Sequence, residues 1–188
     1  GEFQSYDSQM VQKVKDDARA AGHSEWTGPP TDTGDYNVRP GGSPFWQSGY
    51  KGEFGLFFLT WYQQQLIDHA EAVLKTARQL FPSTRLSTKI SGLHWQYTTV
   101  THCAEVTAGY YNTNGVDGYA QFMTMFKRHN IDVCFTCLEM LPDGGAGSNP
   151  PALVQQVLQD SINAGLRFEG ENALERYDWD AYNQIKSW

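Results

Sequence analysis

Glu171, Asn172 and Ala173 stand side by side within residues 166–177, LRFEGENALERY. Together they offer a carboxylate that can take a proton, a carboxamide that donates and accepts, and a small residue that leaves room for a polar substrate. Two earlier stretches follow the same plan. Residues 88–95, TKISGLHW, present Lys89 and His94, and residues 132–140, DVCFTCLEM, present Thr136, Cys137 and Glu139. Each is a short apolar run ending in residues able to do chemistry. This threefold repetition carries more weight than any one residue.

Composition narrows what the chemistry could be. The chain has 188 residues, enough for one domain with a sizeable core. Its 14 Lys and Arg against 21 Asp and Glu give a net charge of -7. That balance argues against a nucleic-acid partner, because phosphate binding rests on clustered Lys and Arg. No apolar run has the roughly 18 residues a membrane span needs, so no membrane partner is expected. The polar, acidic start GEFQSYDSQM has neither the basic and apolar regions of a signal peptide nor an Arg-rich transit pattern. Cys103, Cys134 and Cys137 make no even-numbered disulfide framework. The CxxC of Cys134 and Cys137 lacks a second pair, and a strand sends residues three apart to opposite faces. Unpaired thiols in a reducing compartment, cytoplasm or plastid, are therefore expected. No calcium-loop spacing occurs either, so neither metal nor cofactor is expected. Aromatic residues make up 14% of the chain and crowd into Gly- and Pro-rich stretches. They fit sugar-stacking platforms and packing anchors equally well.

The elements that must position these residues follow from periodicity. Residues 8–21 read as an amphipathic helix with Met10, Val11, Val14 and Ala18 on one face and Gly22 at its end. Residues 23–52 lose the period but carry five aromatics, which suggests an ordered, functional insert. A long helix returns over 53–80, its stripe drawn through Phe58, Tyr62, Leu66, Ala70, Val73, Ala77 and Leu80, and Pro82 stops it. Trp61 on this helix reads as core; Trp95 fits core or platform. An extended run over 87–93 leads to His94, and a second irregular stretch follows to about residue 118. A short helix over 118–129 should turn Tyr119, Phe122, Met123 and Phe126 inward, followed by a strand over 131–137. After the loop 141–151, Asn149 and Pro150 open a helix striped by Leu153, Val154, Val157, Leu158 and Ile162, and Gly165 closes it. A strand at 166–170 and the start of a last helix complete the chain.

Strand, long loop, helix, strand is the rhythm of βαβ units and a parallel sheet. The candidate residues sit where such sheets keep their sites, beyond the carboxyl ends of the strands. Long loops leave the strands and short ones return to them, which favours an α/β fold of the (β/α)8 TIM-barrel type. A doubly wound sheet is the alternative, though no GxGxxG follows a strand and no GxxxxGK(S/T) occurs. With three clear strands where a complete barrel has eight, the expectation is a partial barrel over residues 1–188.

LTWYQQQLIDHAEAVL, TKISGLHWQY, AEVTAGYYN, FTCLEM and GENALERYD, in this order, closely resemble the β-amylases of glycoside hydrolase family 14. The resemblance implies a (β/α)8 barrel that cleaves α-1,4-glucosidic bonds with inversion and releases maltose from non-reducing ends. It makes Glu171 the general base and Lys89, His94, Thr136, Asn172 and Ala173 ligands of the glucan. Cys137 and Glu139 would line or brace the inner loop. Spacing alone favours Glu171 as a solvated or salt-bridged carboxylate, and fits His94 equally well as a packed histidine. A lysine beside a carboxylate favours its ionised form, and Lys89 is the candidate. The family's catalytic acid lies in a GELRYPSYP-type motif upstream of the segment that matches GEFQSYD, so it falls outside this sequence, and Glu2 does not replace it. Glu175 stands where the family has Pro. The expected partners are an α-1,4-glucan or maltose and the missing N-terminal half of the barrel, and the chain by itself is expected to be inactive. A non-catalytic glucan-binding or regulatory relative, or a structural subunit, is the competing reading.

Overall fold

The structure, a computed structural model, describes residues 2–142 and 145–188; Gly1, and Asp143 and Gly144 of the loop expected over 141–151, lie outside the described residues. Two compact units emerge, Gly1–Leu66 with Thr99–Val116, and Ile67–Thr98 with Asp117–Trp188. Among the described residues no helix is long and apolar enough to cross a membrane.

In the first unit, α1 (Ser8–Ala20) is capped by Asp7, which accepts from the Gln9 and Met10 amides, and it buries Val14 and Ala18. Met10 and Val11 are only partly covered. The stretch expected to be irregular contains α2 (Pro44–Gln47), capped by Ser43, and a 3-10 turn at Gly49–Lys51. Phe45, Trp46 and Tyr50 from this stretch are buried. The Phe3 ring meets Phe45 and Phe58 edge-on, at 5.8 and 4.9 Å, and stacks on Trp46. Phe45, Trp46 and Tyr50 are thus packing anchors, each burying a large apolar surface, whereas Tyr36 of the same stretch is 73% exposed. The long helix α3 (Glu53–Leu80) begins here. Trp61 on it is buried, and its indole N–H donates to Asp17 at 2.7 Å, tying α3 to α1. A short helix that the sequence pattern did not reveal, α4 (Cys103–Thr107), carries Glu105. That fully buried carboxylate lies 2.5 Å from His102 Nδ1 and accepts from Asn112 Nδ2 at 3.1 Å.

The second unit carries the sheet. Its strands β1 (Leu86–Lys89), β2 (Ile131–Phe135) and β3 (Phe168–Gly170) run parallel in the order β1-β2-β3. Helices α5 (Gly118–Arg128) and α6 (Pro150–Ala164) pack on each other and on β2. They cover Ile131, Val133 and Phe135, which are fully buried, while the alternate residues Asp132 and Cys134 turn to the other face. Register aligns Lys89 with Cys134 and Cys134 with Glu169, so one row of that second face is polar. Asn149 caps α6 through the Ala152 amide, and Gly165, at φ +66°, closes it as expected. The last helix, α7 (Trp179–Lys186), is capped by Asp178.

Several expectations need correction. β1 ends at Lys89 rather than running to 93, and β2 ends at Phe135, because the chain then turns away: Cys137 takes φ +68°. In the second half of α3 the buried face lies one residue over, at Ile67 and Leu74, and Val73 and Leu80 are exposed. Ile162 of α6 is exposed too, and Asp160 and Ser161 point inward instead.

At the amino ends of the strands, Arg78 of α3 gathers four backbone carbonyls. Its guanidinium donates to Phe81 and Thr84 ahead of β1, and to His129 and Asn130 ahead of β2, at 2.6–3.2 Å. Charged donors make the stronger hydrogen bonds, so one side chain fixes both strand entrances.

Asp160 is 9% exposed, and its Oδ2 has no hydrogen-bond partner among the described residues. Burial, and then the neighbouring Asp117 carboxylate, push its carboxyl from the ordinary 3.8 up to about 7. The folded state therefore holds this proton more tightly than the unfolded chain. The group's contribution is most favourable below about pH 4 and is lost as the pH rises through about 7. Thermal unfolding of Asp160→Asn and the unsubstituted protein should show the variant gaining roughly 2–4 kcal/mol at pH 8 over its effect at pH 4. Parallel profiles at the two pH values would contradict this assignment.

Candidate active site

Glu171 follows β3 directly. Its amide donates to the Phe135 carbonyl at 2.9 Å, so the end of β3 is stitched to the end of β2. Its side chain pairs with Lys89 Nζ from the end of β1. The pair reaches over the Cys134 position of β2, which lies between the two in the sheet. The hydrogen bond to Glu171, then its charge, hold the Lys89 ammonium above the usual lysine range. Burial raises the Cys134 thiol, and the Glu171 carboxylate adds to it. Burial likewise drives the Cys137 thiol to about 11, with the charges of Glu139 and Glu171 contributing. Both cysteines are therefore neutral thiols near pH 7, consistent with three free cysteines in the chain.

The loop 136–140 after β2 is held close by two glycines. A Cβ at Gly92 would fall 2.5 Å from Thr136 Cγ2 and 2.8 Å from Cys137 Sγ. One at Gly170 would fall 1.9 Å from Leu138 Cδ2. Glu139 is fully buried, and its carboxylate accepts from the Ala173 amide at 3.0 Å and the Leu174 amide at 2.6 Å. It braces the turn that presents Glu171 from beneath. Arg176, paired with Asp178, reaches the Glu139 carbonyl at 3.5 Å. Glu175 is exposed on this turn, and the Arg176 amide bonds to the Leu174 carbonyl at 2.9 Å.

The structure thus brings Lys89, Thr136, Cys137, Glu139, Glu171 and Ala173 together at the carboxyl ends of three strands. Asn172 is exposed beside Glu171. His94 stands in the β1 loop two residues past Gly92, with Nδ1 2.8 Å from Ser148 Oγ, and its carbonyl accepts from the Asn149 amide. Trp95 is partly exposed, its ring edge-on to His94 at 5.4 Å. Sequence reading missed Gly92, Gly170, Ser148 and Arg176. The two glycines were visible inside KISGLHW and FEGEN, where a glycine at a strand end can signal a close approach. Among the described residues no group of three or more His, Cys, Asp or Glu could hold a metal ion. Chemically, the arrangement offers a carboxylate with an ammonium beside it, near the hydroxyl of Thr136 and the carboxamide of Asn172, groups suited to sugar hydroxyls. His94, by contrast, contacts Ser148, Asn149 and Trp95.

The family model described as glycosyl hydrolase family 14 matches residues 1–187. The chain belongs to this family. A beta-amylase of Vigna unguiculata is 45% identical over 192 residues, covering 98% of this chain and 38% of that protein. Beta-amylase 2, chloroplastic, of Arabidopsis thaliana is 41% identical over 195 residues, covering 98% and 36%. Among solved structures, the catalytic domain of beta-amylase from Paenibacillus polymyxa superposes with a TM-score of 0.81 at 30% identity, covering all of this chain and 47% of that one. The chain therefore spans less than half the length of these relatives. Its three parallel strands and their helices are a partial family 14 (β/α)8 barrel.

Glu139→Gln would turn one carboxylate oxygen into an N–H group facing the Ala173 or Leu174 amide. The variant should lose roughly 1–3 kcal/mol of stability, and hydrogen exchange should quicken at residues 173 and 174. An unchanged exchange rate at those amides would contradict the brace.

Proposed function

We propose that the protein to which this chain belongs is an inverting glycoside hydrolase of the β-amylase type. It acts on α-1,4-glucans and releases maltose from their non-reducing ends. Glu171 is the general base, and the acid that protonates the leaving oxygen lies outside residues 1–188. Inverting hydrolysis places the two carboxyl groups about 6.5–9.5 Å apart, with a water between base and sugar. Lys89, His94, Thr136, Asn172 and Ala173 hold the glucose units, and Cys137 and Glu139 support the inner loop. Residues 1–188 form the C-terminal portion of the catalytic barrel, and the remaining strands are its nearest partner. A reducing compartment, cytoplasm or plastid, suits the three free thiols.

One observation carries this reading: the Lys89–Glu171 pair stands at the common end of three parallel strands, with Thr136 and Ala173 beside it. Parallel α/β sheets gather reacting groups at that end. In the natural full-length protein, Glu171→Gln should lower kcat for maltose release from soluble starch by roughly 10²–10⁴-fold, the span of a general base. Maltose affinity should stay within a fewfold of the unsubstituted protein. Maltose binding without any release by the unsubstituted protein would leave a glucan-binding relative as the reading. Full activity in the variant would remove Glu171 from the mechanism.

A further inference from the structure

One restraint on the loop 136–140 comes from far along the chain. The Trp188 indole Nε1 donates to the Leu138 carbonyl at 2.9 Å. We infer that Trp188 is a positioning residue for the candidate site, its indole N–H fixing the Thr136–Glu139 segment against Glu171. The sugar-binding side of this inference rests on the function proposed above; the restraint on the loop does not.

Three observations support it. Leu138 is bonded on both sides: its amide points to the Glu171 carbonyl at 3.4 Å, and its carbonyl to Trp188. One residue therefore links the base to the end of the chain segment that follows it. The preceding residue, Cys137, sits at φ +68°, a region that non-glycine residues populate sparsely and hold only under outside restraint. Finally, α7 is weakly seated by apolar packing. Ala181 is its buried side chain, whereas Trp179 and Tyr182 are 80% and 63% exposed. The segment 173–188 grips the loop at the Ala173 and Leu174 amides, at Arg176 and at Trp188. The Trp188 contact lies farther from Glu171 in sequence than the other three, so the strap is tied at two separated points. Leu138 fills the space that a Cβ on Gly170 would need, 1.9 Å from its Cδ2, so the loop lies directly against the end of β3.

Trp188→Phe keeps an aromatic ring but removes the donor. Hydrogen exchange at the Leu138 and Met140 amides should accelerate roughly three- to tenfold, the equivalent of one net hydrogen bond. Maltose should bind more weakly by a similar factor, while the unfolding midpoint falls by no more than about 4 °C, the equivalent of that one bond. Trp188→His, which restores a ring N–H, should recover part of both effects. Unchanged exchange at the two amides in Trp188→Phe overturns the inference. So does faster exchange spread over the whole chain with a midpoint lowered beyond that, since Trp188 would then be a general anchor. If the unsubstituted protein binds no maltose, the sugar-site reading falls, and the exchange comparison still decides the role of Trp188.

Discussion

A carboxylate sealed from solvent has to be met by donors, and Glu139 is met by two successive backbone amides of the turn after Glu171. The rest of the site depends on that constraint. The amides cannot leave without stranding a buried carboxylate, and Glu139 cannot leave without stripping two amides of their acceptor. The turn 171–174 is therefore held in one geometry relative to the loop 136–140. Given that geometry, the Glu171 side chain meets Lys89 from β1, and the loop presses on Gly92. Three strand ends are joined by polar contacts whose central member is buried.

The polar face of the sheet extends this logic toward the strand entrances. Arg85 pairs with Asp132 at 2.6 Å, and Asp132 also accepts from the Arg167 amide. Arg167 in turn lies 3.7 Å from Glu169. On a face so dense in charge, Cys134 is the uncharged member of the row between Lys89 and Glu169. The apolar face beneath α5 and α6 supplies most of the burial, and the polar face supplies the chemistry. Strict alternation along β2 keeps the two apart.

Much of this was legible in the residues. The parallel sheet, its three strands, the caps at Asn149 and Gly165 and the span of α3 follow from period, turn formers and capping side chains. Glu171, Lys89 and Thr136 are picked out by the motifs that resemble family 14, which lie where short apolar runs pass into polar residues. What escaped has physical causes. Strand ends depend on where the partner strand turns away, so β1 stops at Lys89 even though Ile90 is buried. The inward face of α3 cannot be read when Leu66 and Ile67 are both apolar, because tertiary packing chooses between them. Asp160 broke the expected stripe of α6, since polar residues are ordinarily assigned to the outer face. Contacts such as Ser148 with His94, 54 residues apart, leave no periodic trace at all.

Arg78 has a consequence for alignment along the strand direction. Because one guanidinium spans the carbonyls ahead of both β1 and β2, sliding either strand by one residue, about 3.3 Å, would tear at least two of its bonds. The axial match that sets Lys89 opposite Cys134 is thus pinned from the opposite end of the sheet. A lysine, whose charge sits at a single point, could not brace both entrances at once. The bottom of the sheet in this way determines the level at which its top can act.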